Sequence, residues 1–172
     1  MDVAPPSARA GTDRARLRSL SPLAPFVSLA ARLVLAVVFA AAGWPKLLDP
    51  DGTVRSVRAF RLVPEVLVPA FGYGLPVLEL ALALLLLLGL LTRWSAVAVG
   101  VLLVMFMVGI AAAWARGLAI ECGCFGSTSA PVVDPTRGYA LDLLRDAGLL
   151  LLAGFLVVRP RSRLSLDARL GL

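Results

Sequence analysis

Between Val66 and Ala115 only Glu79 and Arg93 carry a charge. A stretch so long and so apolar has too little polar surface for water, and it reads as helices in a bilayer. The composition agrees. Of 172 residues, 59% are hydrophobic and 16% charged, where a soluble domain is roughly half apolar and about a quarter charged. Thr92-Arg93-Trp94 divides the stretch into helices of about 66–91 and 95–115, and so short a turn makes them antiparallel neighbours. Further apolar runs span about 26–48 and 139–158, each enough for the roughly 20 residues a crossing needs. The expectation is an all-α, integral membrane four-helix bundle over residues 26–158.

Residues 1–25 read as a disordered basic tail, rich in Pro, Ala, Ser and Arg. Residues 159–172 form a second basic tail after Arg159-Pro160-Arg161. The first apolar run could imitate a signal peptide, with Ala40-Ala41-Ala42 as its cleavage site. Three later spans and continuation through Trp44-Pro45-Lys46 favour an anchor. Trp44 and Lys46 suit an interfacial belt, and Pro45 marks the helix end or a kink. Arg32 is expected to snorkel to headgroups from the other end of that helix. In the connection from Asp49 to Pro64, Val54, Val57 and Phe60 recur beside Arg55, Arg58 and Arg61, the pattern of a short interfacial helix.

Basic residues set the topology. With the N-terminus inside, nine lie on the inner side: Arg9, Arg14, Arg16, Arg18, Arg93, Arg159, Arg161, Arg163 and Arg169. Six lie outside: Lys46, Arg55, Arg58, Arg61, Arg116 and Arg137. The excess favours cytoplasmic termini in a multi-pass cell-membrane protein. The net charge of +6 is thus explained by topology and anionic lipid rather than by nucleic acid.

A possible repeat supports the layout. Ala41-Ala42-Gly43-Trp44-Pro45-Lys46 resembles Ala111-Ala112-Ala113-Trp114-Ala115-Arg116, and Gly72-Tyr73-Gly74-Leu75 resembles Gly138-Tyr139-Ala140-Leu141. Glu79 and Arg145 then lie six residues beyond matching tyrosines, each about 9 Å below the outer interface at 1.5 Å per residue. Charges at that depth need partners. Glu79 with Arg145 is the expected ion pair, with Asp146, Asp142 and Lys46 nearby. It either fixes helix register or forms a polar floor that binds a quinone or relays protons.

The connection of about 117–137 holds both cysteines, in Glu121-Cys122-Gly123-Cys124-Phe125-Gly126, and Pro131, Asp134 and Pro135 argue against helix there. Without histidine, two cysteines cannot complete an ordinary four-ligand zinc site. A redox-active disulfide, a structural disulfide or two thiols remain. Bridging cysteines need Cα atoms roughly 4.4–6.8 Å apart, and Gly123 permits the bend. So small a ring gains little loop-closure entropy, whereas strained, exposed disulfides are the exchangeable ones. The spacing therefore favours redox chemistry at Cys122 and Cys124, in a loop that the charge count puts outside, where disulfides persist.

Several of these features occur together in a known family. Arg32, Phe39-x-x-x-Gly43-x-x-Lys46, Glu79 and Arg145-Asp146 resemble the DoxX-like membrane proteins. The Cys122-Gly123-Cys124-Phe125-Gly126 loop before the last helix is similar to the MauE branch, and the likeness covers about residues 29–158. It implies a redox-associated membrane protein that supports disulfide formation or maturation of an exported, disulfide-rich dehydrogenase subunit. A thioredoxin-fold protein or exported disulfide-containing protein is the implied partner. Reoxidation of the dithiol would need an acceptor, for which a membrane quinone held near Glu79, Arg145 and Trp114 is the natural candidate. Electron flow could run in either direction. The competing readings are a non-catalytic assembly subunit of an oxidoreductase and a small-solute transporter.

Overall fold

The computed structural model describes residues 24–118 and 135–159. Their regular structure is helical throughout: α1 Ala24–Leu48, α2 Pro50–Phe60, α3 Val68–Leu88, α4 Thr92–Ala115 and α5 Pro135–Val158. Residues 1–23 and 160–172 of the two terminal tails and the Cys122–Cys124 pair lie outside the described residues.

α1, α3 and α4 are long and apolar enough to cross a membrane. Their outward faces carry hydrocarbon, with Val37, Leu84, Val101 and Val108 all exposed. Such a surface suits lipid, where the backbone satisfies itself by helix formation. α5 has 24 residues, about 36 Å at the helical rise, but carries charge in its first half.

Turn chemistry sets the ends. Asp49 caps α2 by accepting from the Gly52 N–H at 2.9 Å, and Pro50 occupies a first-turn position where no N–H is needed. Val54, Val57 and Phe60 are half-buried while Arg55, Arg58 and Arg61 are exposed, the amphipathic arrangement expected of this segment. α3 stops at Gly89, whose φ of 67° is left-handed, and the Leu90 N–H returns to the Leu85 carbonyl at 3.0 Å. Leu91, with φ 48°, completes the reversal.

The expected boundaries therefore shift. The α3–α4 turn is Gly89–Leu91, and Thr92-Arg93-Trp94 already belongs to α4. Pro135 opens α5 rather than keeping its segment non-helical, because proline at the start of a helix loses no hydrogen bond. α1 runs through Pro45 to Leu48.

α1 packs most extensively on α3, and α4 on α5. A shared core joins these four helices through Leu35 and Phe39, Leu82 and Leu86, Val99 and Leu103, and Ala153 and Leu156. α3 and α4, joined by the shortest connection, share far fewer contacts. At the end holding that turn, Ser28 donates to the Arg159 carbonyl at 3.1 Å. Arg32, Thr92 and Ser95 are buried. Arg32 is only 2% exposed, so it turns into the protein instead of snorkelling, one turn from Ser28 on α1.

Candidate functional site

Phe39, Gly43 and Lys46 are spaced i, i+4, i+7, which puts them on one face of α1. That face meets α3. A Cβ on Gly43 would lie 3.0 Å from Leu80 Cγ and 3.2 Å from the Pro76 carbonyl, so the helices approach this closely because residue 43 has no side chain. One turn on, Lys46 reaches Glu79. Its ammonium donates to both carboxylate oxygens, at 2.7 and 2.9 Å, and lies 5.4 Å from the centre of the Phe106 ring of α4.

Lys46 is 5% exposed and Glu79 1%. The expected pairing is thus corrected. Glu79 is held by Lys46, and Lys46 belongs to the interior instead of the interfacial belt. Arg145 forks between two carboxylates of its own helix, Asp142 at 3.1 Å and Asp146 at 2.9 Å. Sequence depth placed Glu79 and Arg145 at one level, and they do line one cavity with Lys46, Asp146, Phe39 and Phe106. What depth omits is azimuth: Gly43 turns Lys46 toward α3, while Asp142 and Asp146 flank Arg145 on α5.

Two cations here face three carboxylates inside the protein. The cavity lined by Lys46, Glu79, Arg145 and Asp146 measures about 20 Å³, enough for one water. Asp146, 2% exposed, presents an Oδ2 with no hydrogen-bond donor among the described residues. A paired lattice with one acceptor to spare can hold helix register and can also carry a proton between carboxylates.

The feet of the cysteine connection stand at the same end of the molecule. Gly117, with φ 64°, ends α4, and the Leu118 N–H returns to the Ala113 carbonyl at 3.1 Å. The Tyr139 hydroxyl of α5 donates to the Leu118 carbonyl. Trp114 packs its ring 6.4 Å from that of Tyr139. Ile110, Ala113, Phe60 and Leu143 complete this apolar cluster. Arg116 donates to the carbonyls of Phe60 and Arg61, at 2.6 and 3.4 Å, fastening α2 to the end of α4.

Trp114 is therefore part of the loop's footing and does not line the cavity of Glu79 and Arg145. The suspected repeat has a structural counterpart in its tyrosines. Tyr73 donates to Asp51 of α2 at 3.0 Å, as Tyr139 ties α5 to its own preceding connection. The likeness fails at Lys46 and Arg116, of which one is buried and the other exposed. Cys122 and Cys124 fall between the feet, outside the described residues.

The family model described as methylamine utilisation protein MauE matches residues 24–159. Methylamine utilization protein MauE of Methylorubrum extorquens is 41% identical over 102 residues, covering 59% of this chain and 55% of that protein. The proteins of the same name from Methylophilus methylotrophus and Paracoccus denitrificans are 39% and 37% identical. Those alignments cover 58% and 59% of this chain, and 53% and 55% of the relatives. The chain thus spans about half the length of the relatives it matches. No solved structure matches it.

Proposed function

This chain belongs to the MauE family of methylamine utilisation proteins, and from that premise we propose that it is a membrane thiol–disulfide exchange protein serving exported proteins. The observation that carries the reading is the buried Lys46–Glu79 pair beside Arg145, Asp142 and Asp146, in the half of the molecule from which the Cys122-Gly123-Cys124 connection leaves α4 and enters α5. A merely anchoring bundle has no need of five ionisable side chains there, and charges within spans are functional candidates by default.

In this reading α5 is the fourth span, both termini are cytoplasmic and the cysteine loop faces outward. A thiolate of a reduced partner attacks one sulfur of the Cys122–Cys124 disulfide and forms a mixed disulfide. The partner's second thiolate then attacks its own sulfur in that bond. The partner leaves oxidised by two electrons, and Cys122 and Cys124 are left as a dithiol. The partner is an exported protein with a cysteine pair, and a thioredoxin-fold carrier fits the same chemistry. The relatives' name connects the substrate to methylamine use, with an exported dehydrogenase subunit as the corresponding client.

Single-cysteine trapping tests the reaction. Cys124→Ser or Cys122→Ser should accumulate a mixed disulfide with an exported protein, identified by mass spectrometry after non-reducing electrophoresis. Unchanged disulfide formation in both variants, with no trapped adduct, would sink the proposal and leave the assembly role.

A further inference from the structure

A second, larger cavity lies under α2. It measures about 170 Å³ and is bounded by α2, α3, α4 and the segment after α2. Phe60, Phe71 and Phe106 supply aromatic walls, and Lys46, Thr53 and Ser56 supply the polar end. Phe71, Leu75 and Met105 also line a crevice between α3 and α4 of about 320 Å³, formed with Ala70, Gly74, Leu78 and Leu102. Phe71, Leu78 and Met105 are exposed on the hydrocarbon surface. The two spaces have Phe71, Leu75 and Met105 as common lining, so the crevice adjoins the cavity on its hydrocarbon side.

The polar end specifies the head. An ammonium has three donors, and the contacts to Glu79 engage two, which leaves Lys46 one N–H for an acceptor. Its charge is already matched by Glu79, so a carboxylate or phosphate head would meet a neutral pair rather than a free cation. Thr53 donates to the Lys46 and Asp49 carbonyls, and Ser56 to the Gly52 carbonyl. Their oxygens therefore remain as acceptors toward the cavity. An uncharged ring that accepts through a carbonyl and, when reduced, donates through a hydroxyl meets both kinds of group.

We infer that the cavity between α2, α3 and α4 binds the ring of a membrane quinone, with its tail in the α3–α4 crevice. This rests on the proposed thiol exchange for its purpose. Closing the Cys122/Cys124 dithiol to a disulfide releases two electrons and two protons, the same number that converts a quinone to its quinol. The site differs from the sequence expectation: of Glu79, Arg145 and Trp114, none lines it, and Lys46 and Phe106 are the walls it shares with the cavity of the charge cluster.

Gly109 supplies the test. A Cβ there would have ordinary contacts at 3.9 Å with Leu62 and Phe60, so Gly109→Ala should fold and serves as the folding control. Gly109→Leu projects its branches into the cavity. The full chain, in phosphatidylcholine nanodiscs, is photolabelled with an azido-benzoquinone carrying a ten-carbon tail, and the labelled peptides are mapped. Label is expected on residues 53–63 and 105–110. It should fall about tenfold in Gly109→Leu, the equivalent of about 1.4 kcal/mol. Excess decyl-benzoquinone should compete and palmitate should not.

Labelling spread evenly over lipid-facing positions, indifference to Gly109→Leu, or equal competition by palmitate would each overturn the site. The Cys122→Ser/Cys124→Ser double variant should label normally. Normal labelling beside failed partner trapping removes the exchange reading alone, and trapping without mapped labelling removes the quinone site alone.

Discussion

An ammonium that has left water for hydrocarbon must keep a carboxylate beside it. Lys46 and Glu79 satisfy each other, and taking away either one strands a buried charge. Lys46→Met or Glu79→Leu should each lower stability by about 3–5 kcal/mol, read by unfolding in bicelles. The double variant should recover much of the loss, since an apolar pair of similar volume removes both desolvation costs. Losses that simply add would show that the two residues are uncoupled. Glu79 was legible as a residue needing a partner, but its partner was not. Arg145 matched it in depth, whereas the direction in which Lys46 points depends on the close approach at Gly43. The burial of Arg32 was hidden for a similar reason: its helix position suits snorkelling, and only packing decides which way it turns.

Helix contacts in this protein depend on particular small residues. A Cβ on Gly72 would overlap Val54 Cγ2 and stand 2.9 Å from Val54 Cα. Because one of those atoms is backbone, no rotamer relieves the clash, and α2 must lift from α3. Gly72→Ala should therefore cost about 1–3 kcal/mol and speed hydrogen exchange across residues 50–60. Unchanged exchange would mean that α2 is not seated there. Tyr139→Phe is a gentler change. It deletes the hydroxyl that holds Leu118, should cost about 0.5–1.5 kcal/mol, and should quicken alkylation of the reduced cysteines by loosening the loop's footing. An alkylation rate equal to the parent's would remove Tyr139 from that role. The helices themselves were readable from the length of their apolar runs. Their ends were displaced by a few residues wherever a glycine or a proline set the turn, as at Gly89 and Pro135.

For the whole molecule, the inside–outside assignment rests on nine basic residues against six. An impermeant maleimide should label the reduced cysteine loop in intact cells. Labelling only after lysis would invert the assignment and, with it, the compartment of the exchange chemistry. The cysteine pair and its spacing were visible from the sequence, as was the gathering of charge in the half of the molecule from which their connection leaves. The cavity under α2 was not. It arises from how loosely α3 and α4 pack, and neither helix has an unusual composition to announce it.

That loose pair is nonetheless tied at one end by the three residues Gly89–Leu91. With α4 extending about 36 Å from the tie at 1.5 Å per residue, the two helices have the proportions of a pair of tongs. A tilt of about 5° at the pivot would move the far tips by about 3 Å at that length, while barely disturbing Thr92 and Ser95 beside it. Small angular play at the end holding the turn is thereby geared into a wide change of aperture at the opposite one.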